Sequence, residues 1–140
     1  MECLAYRLGK SERIDSRKLI NRLFAGGSSK SLSAYPLRVV YLVDQQSEGQ
    51  MPASMMVSVS KRHFKHAVDR NRVKRQVREA YRKTKMTIVG SVPEGMAVAM
   101  AFIWMSDEHE ASETVDAKME NLLQRVAERI KTKEGADDHL

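Results

Sequence analysis

The sequence of 140 residues contains a single cysteine, Cys3. One cysteine excludes a disulfide within the chain and the cysteine-rich sites that hold structural zinc. No stretch approaches the roughly 18 consecutive apolar residues that a membrane-spanning helix needs. The N-terminus, with an acid at Glu2, lacks the apolar segment of a secretory signal. We therefore expect a soluble, cytoplasmic protein without a membrane partner.

Residues suited to metal or nucleophilic chemistry are also sparse. His63 and His66 could share a metal, but their segment is strongly basic and would repel a cation, so solvated or phosphate-facing side chains are favoured. An acidic group later in the chain could bind a cation, although a solvated loop or helix start is the simpler interpretation: Asp107, Glu108, Glu110 and Glu113. No Ser/His/Asp or Cys/His arrangement is readable, although spacing alone excludes none. The residue pattern therefore singles out no catalytic group, and metal-contacting residues stay open.

The net charge of +6 is concentrated in one segment. Residues 61–85 carry eleven basic and two acidic side chains, a net charge of +9. Residues 1–60 carry +3, and residues 86–140 carry −6. A short segment that exceeds the net charge of the whole chain indicates an element that binds a polyanion.

The residue pattern predicts elements in the order α-β-β-α-β-α. After a polar arm of residues 1–15, Ser16 can cap a helix that the Gly26-Gly27 pair ends. A loop rich in Ser and Lys follows at residues 28–33. Strands are predicted at residues 36–43, 53–60 and 96–105, and helices after Ala67 and over residues 115–133. This order favours a single α+β domain over residues 16–133, with a frayed tail at residues 134–140.

The basic segment is predicted to be an amphipathic helix. Four apolar side chains lie within an arc of about 100° on a helical wheel: Val73, Val77, Ala80 and Tyr81. The opposite face is rich in arginine, whose guanidinium binds phosphate through two parallel hydrogen bonds and stacks on bases. A merely solvated face would carry acid–base pairs, whereas here basic residues lie four apart, and each such contact costs a few tenths of a kcal/mol. Nucleic-acid binding is therefore the favoured interpretation.

The order of residues within this segment resembles a known family, the protein component of bacterial ribonuclease P. The resemblance rests on three motifs: Val57-Ser58-Val59-Ser60-Lys61-Arg62, then Ala67-Val68, then Arg70-Asn71-Arg72-Val73-Lys74-Arg75 with Arg78-Glu79. Upstream, Ile20, Leu23, Phe24 and Gly27 match the first helix of the family and its glycine stop. With the strands and the last helix, the resemblance covers roughly residues 7–130.

The resemblance implies a two-layer α+β sandwich, with a small, mostly antiparallel sheet and a left-handed βαβ crossover around the Arg-Asn-Arg helix. Family members join a large catalytic RNA and hydrolyse the phosphodiester at the 5′ end of mature tRNA, which releases the leader of the precursor. The RNA and its Mg2+ ions carry the chemistry. The protein is expected to be non-catalytic alone, to bind no cofactor by itself and to need no protein partner.

Two groups of site residues follow from the resemblance, with Arg82 added from the helical wheel and Tyr35, Arg38 and Tyr41 from their position on or next to the adjacent strand. The first should face phosphates of the catalytic RNA: Lys61, Arg62, Arg70, Asn71, Arg72, Lys74, Arg75, Arg78 and Arg82. The second should line a cleft for the single-stranded leader: Ile20, Phe24, Tyr35, Arg38 and Tyr41. Because residues 36–43 alternate sides, one or two of the last three are expected to face the cleft. Ile20 and Phe24 have a second interpretation, as core residues of an amphipathic helix.

Two other functions remain open from the sequence. One is a stand-alone RNA-binding or ribosome-associated protein with a similar sandwich. The other is a nuclease that acts without an RNA subunit. Cleavage of precursor tRNA with and without the catalytic RNA separates both from the ribonuclease P subunit.

Overall fold

The computed structural model of the chain describes residues 13–14, 17–25, 29–46 and 51–137, with the backbone alone for Ala25 and for the residues after Lys131. The elements in chain order are α1 (Arg17–Ala25), β1 (Lys30–Ala34), β2 (Leu37–Gln45), β3 (Ala53–Ser58), α2 (Ala67–Thr84), α3 (Met86–Val89), β4 (Met96–Trp104) and α4 (Ser112–Asp137). None of the helices described here is long and apolar enough to cross a membrane.

The four strands form one sheet in the order β1-β2-β4-β3. The pairs β1–β2 and β2–β4 are antiparallel, whereas β3 and β4 are parallel. Phe102 of β4 lies between Val39 of β2 and Val57 of β3. The parallel pair is connected through α2, which is the expected βαβ unit. The α+β class and the mostly antiparallel sheet are confirmed, and the handedness of the crossover stays a prediction.

One face of the sheet carries the main core, under α2 and α4. The predicted stripe of the basic helix is buried here, in the form of Val73, Val77, Ala80 and Tyr81. From β4, Phe102 and Trp104 are fully buried in the same cluster. The apolar stripe of α4 is buried too, at Val115, Met119, Leu122, Leu123, Val126 and Ile130. Burial of this apolar surface holds the two helices against the sheet and leaves the arginine face of α2 outward.

The other face of the sheet is covered in part by α1. Leu23 is buried there against Val40 and Leu42 of β2 and two alanines of β4, Ala99 and Ala101. These residues alternate along their strands with those of the main core, as the pleat requires. The short helix α1 therefore adds a partial third layer to the two layers expected from the sequence.

The chain differs from the prediction in three places. Residues 30–34 form strand β1 rather than a loop, with Leu32 buried in the main core. The short helix α3 follows the basic helix, and α4 begins at Ser112 and continues to Asp137, into the segment predicted as tail. Of the predicted N-terminal arm, only Arg13 and Ile14 are described. The predicted cap Ser16, the Gly26-Gly27 stop and residues 138–140 lie outside the described residues, and the domain boundaries stay a prediction.

Candidate nucleic-acid interface

The outward face of α2 carries the predicted basic residues. Asn71, Arg72 and Arg75 are exposed, and Lys74, Arg78 and Arg82 are half-buried. Lys61 and Arg62 are exposed in the loop of residues 61–66, which precedes the helix. The structure thus brings eight of the nine predicted RNA-binding residues to one helix face and the adjoining loop.

Arg70, the remaining predicted RNA-binding residue, forms hydrogen bonds within the protein. Its guanidinium nitrogen donates hydrogen bonds to the backbone carbonyls of Phe64, at 2.8 Å, and Lys65, at 2.9 Å. The side chain lies in the first turn of α2, and helical side chains lean towards the N-terminus of their helix, so it reaches the preceding loop. Arg70 is therefore placed to hold the loop that presents Lys61 and Arg62.

The segment that follows β4 makes a second set of contacts with this loop and with the start of α2. His63 Nδ1 lies 2.6 Å from Asp107 Oδ1, and His109 Nε2 lies 3.2 Å from Asp69 Oδ1. The ring of His109 also stacks on that of Phe64, with centroids 4.6 Å apart. The acidic residues after β4 thus dock partly on the basic segment. Within the described part of the chain, no three His, Cys, Asp or Glu side chains are grouped to hold a metal ion.

A groove of about 630 Å3 runs along the basic face. It is lined by Arg13 and by six residues of α2, namely Asn71, Lys74, Arg75, Arg78, Glu79 and Arg82. The one acid among them, Glu79, forms an ion pair with Arg82. The hydrogen bond from Arg82 lowers the pKa of Glu79, and the same contact raises the pKa of Arg82. The remaining cations of the groove keep their charge available for an anion.

Arg13 is a member of this groove that the sequence did not identify. Burial, and secondarily the positive charge of Arg13, lower the pKa of Arg78. The segment of Arg13 and Ile14 lies beside β3, where the amide of Ile14 donates to the carbonyl of Met55 at 2.9 Å. Arg13 lies far before the helix in sequence, so only the pairing with β3 brings it to the groove.

Of the residues predicted to line a leader cleft, Ile20 and Phe24 lie on α1, and Arg38 lies on the face of the sheet that α1 covers in part. Phe24 is 49% exposed and Tyr35 is 61% exposed, although both are large aromatic side chains. Leu23, and not Phe24, supplies the core contact of α1. Ile20 is half-buried, and the exposed Arg38 donates a hydrogen bond to Ser31 Oγ at 3.3 Å. The core interpretation of Phe24 is therefore wrong, and its exposed ring is free to contact a ligand.

Tyr41 does not belong to this cleft, contrary to the prediction. It is only 4% exposed and lies in the main core on the opposite face. The reason is the strand alternation, because Tyr41 is an odd number of positions from Arg38 on β2 and the two side chains point to opposite faces.

Three comparisons with known proteins agree with this architecture. The sequence profile of the family described as Ribonuclease P matches residues 8–127. A ribonuclease P protein component from Porphyromonas gingivalis is 42% identical over 126 residues, which covers 89% of this chain and 90% of that protein. One from Chlorobium phaeobacteroides is 36% identical over 90 residues, which covers 63% of this chain and 60% of that protein.

Solved structures show the same fold. The RNase P protein from Thermotoga maritima superposes with a TM-score of 0.62 at 27% identity, covering 81% of this chain and 96% of that one. The Staphylococcus aureus RNase P protein superposes with a TM-score of 0.63 at 20% identity, covering 84% of this chain and 96% of that one. With a profile match over most of its length and a close relative along nearly all of it, the chain belongs to the ribonuclease P protein family.

Proposed function

We propose that this chain is the protein subunit of ribonuclease P, which joins a catalytic RNA and removes the 5′ leader from precursor tRNA. The observation that carries the proposal is the outward face of α2, where exposed arginines line a groove whose one acid among the described residues is already paired. Such a face is unfavourable alone, because like charges repel, and becomes favourable when phosphates neutralise it. Membership of the family identifies the polyanion as the ribonuclease P RNA.

We propose further that the chemistry belongs to the RNA. Both acids of α2 are engaged, Glu79 with Arg82 and Asp69 with His109. The described residues therefore offer no open group of carboxylates for the metal ions of phosphodiester hydrolysis. In this proposal Mg2+ would be held mainly by the RNA and would supply the charge stabilisation that phosphodiester hydrolysis needs. The protein neutralises and positions RNA through Arg72, Arg75 and their neighbours.

The second role in this proposal is to hold the leader. The exposed rings of Phe24 and Tyr35 lie apart from the arginine face, on α1 and in the turn between β1 and β2. An unpaired base can stack on such a ring whatever its identity, with a contribution of about 1–3 kcal/mol per base. The exposed Arg38 of β2 would add a positive charge for the leader backbone.

The test is cleavage of precursor tRNA at low Mg2+ concentration, with the protein alone, the cognate catalytic RNA alone, and both together. The proposal expects no cleavage by the protein alone and a gain in rate or substrate affinity when the protein joins the RNA. Cleavage by the protein alone would show a protein-only nuclease. No gain on addition of the protein would leave a stand-alone RNA-binding protein and exclude the subunit role.

A further inference from the structure

The segment of Arg13 and Ile14 extends the sheet at its free edge. β3 is an edge strand, and the segment pairs with it in parallel through Arg13 and Met55. Ile14 packs on the cluster beneath α1. Neighbouring residues of an extended segment point to opposite faces, and Arg13 accordingly lies on the α2 side, where it lines the groove.

The groove that results contains more positive charge than the protein balances. Once Arg82 and Glu79 are paired, four cations remain: Arg13, Lys74, Arg75 and Arg78. None of the four forms an ion pair with another described residue. The charge of Arg13 acts on Arg78 strongly enough to lower the pKa of that guanidinium, in addition to the larger effect of burial. Arg13 and Arg78 thus line one groove in which four cations have no acidic partner among the described residues, and such a group of cations can bind an anion.

The lining indicates which anion fits. None of the described lining residues is aromatic, so the described lining offers guanidinium and ammonium groups for phosphate and no aromatic ring for base stacking. Lys74 and Arg78 lie one turn apart on α2, at about 5–6 Å between their Cβ atoms. A groove of about 630 Å3 has room for a phosphodiester with its sugars, and not merely for a small ion.

We propose that Arg13 completes a phosphate-binding groove with Lys74, Arg75 and Arg78, so that the segment beside β3 and the basic helix grip one RNA backbone from two sides. The contact is to phosphate and is independent of base identity. This inference rests on the proposed function, because it takes RNA as the ligand of α2. It adds a residue outside the Arg-Asn-Arg helix to the RNA-binding surface.

The test compares four variants in the full-length protein: Arg13→Gln, Arg13→Lys, Arg75→Gln, and Arg129→Gln as the matched control. Arg129 is exposed on α4 and does not line the groove. Two affinities are measured over a series of salt concentrations. The first arm measures binding of each variant to the catalytic RNA, and the second arm measures binding of precursor tRNA to the holoenzyme assembled with that variant. Arg13→Gln should flatten the slope of log affinity against log salt by about 0.7–0.9 in one arm. Arg13→Lys should keep the slope, since it keeps the charge.

The arm that responds identifies the RNA that supplies the phosphate. The melting temperature of each free variant is measured beside that of the unchanged protein, so that a flatter slope at an unchanged melting temperature reports binding and not folding. An Arg13→Gln variant that behaves like Arg129→Gln in both arms, while Arg75→Gln weakens binding, overturns the inference alone. If Arg75→Gln is silent as well, RNA binding by α2, and with it the proposed function, is wrong.

Discussion

The guanidinium of Arg70 donates a hydrogen bond to the backbone carbonyl of Phe64, 2.8 Å away, and so ties the first turn of α2 to the loop before it. The first arginine of the Arg-Asn-Arg motif is thus bound within the protein, whereas Arg72 of the same motif is exposed. The two arginines of one motif are therefore expected to do different work. We expect Arg70 to position the loop and Arg72 to contact RNA.

Replacement of Arg70 by alanine should destabilise the protein. The backbone carbonyls of Phe64 and Lys65 would lose a charged hydrogen-bond donor. Hydrogen bonds to charged groups contribute about 1.5–3 kcal/mol to the free energy of unfolding. We expect the free energy of unfolding in urea to fall by about that amount. Arg72→Ala is the matched control, because an exposed residue changes stability by only about 0.5 kcal/mol or less. Equal losses for both variants would contradict the positioning role of Arg70.

Salt dependence should separate the free arginines of α2 from the paired one. Arg75 is exposed and faces the groove, whereas Arg82 is held by Glu79. Arg75→Ala should weaken binding to the catalytic RNA and reduce its salt slope by about one unit for each phosphate that the variant no longer binds. Arg82→Ala should reduce the slope less, because it also releases the charge of Glu79 beside the RNA. The measurement is a filter-binding titration at several salt concentrations, and a larger effect at Arg82 would count against this division.

The periodic and charged parts of the sequence were sufficient to predict α2. Val73, Val77, Ala80 and Tyr81 recur at helical spacing and are all buried. Apolar periodicity over a long segment specifies both the element and its inward face, which is why the arginine face was also predictable. The order of the motif residues then led to the family.

Strand β1 could not be predicted in this way. Its five residues include two serines and one lysine, and Leu32 is its one buried large side chain. Nothing in that composition favours a strand over a loop. The strand exists because its backbone pairs with β2 across five register positions, a long-range interaction that overrides weak local preference.

Prediction misplaced one site residue, Tyr41, and missed another, Arg13, and both errors concern strand pairing. Alternation showed that Arg38 and Tyr41 lie on opposite faces of β2, but not which face α1 covers. The structure shows that α1 covers the face of Arg38, and Tyr41 therefore lies in the main core on the opposite face. Arg13 was missed because a basic residue in a polar arm carries no local sign of pairing with Met55.

The exposed ring of Phe24 should matter for the leader and not for the fold. Phe24→Ala removes a side chain that is 49% exposed, so the free energy of unfolding should change little. Loss of one stacked base should weaken binding of precursor tRNA to the holoenzyme by about 1–3 kcal/mol and leave mature tRNA binding unchanged. The control is Tyr41→Phe, which deletes a buried hydroxyl that has no hydrogen-bond partner among the described residues. Equal loss of precursor and mature tRNA binding in Phe24→Ala would exclude the leader contact.

The ion pair between Arg22 of α1 and Asp44 of β2 should make the attachment of α1 depend on pH. The hydrogen bond from Arg22, followed by that from the amide of Gln45, lowers the pKa of Asp44 below its ordinary value. A carboxyl whose pKa is lower in the folded than in the unfolded protein contributes its full stabilisation at pH values above the unfolded-state pKa. This contribution is lost as the pH falls through the lower, folded-state pKa. Both side chains are about half exposed, so the contribution is at most about 1 kcal/mol.

Asp44→Asn should therefore lower the free energy of unfolding at pH 7 and make no difference once the pH is below the depressed pKa of Asp44. The difference at pH 7 should also shrink at high salt, because an exposed pair is screened. Glu94→Gln is the control, since Glu94 is exposed and forms no ion pair with another described residue. Urea unfolding over a pH series measures both variants. A deficit in Asp44→Asn that persists undiminished at acid pH would show that Asp44 stabilises the protein through something other than its charge, and would contradict a pH-dependent attachment of α1.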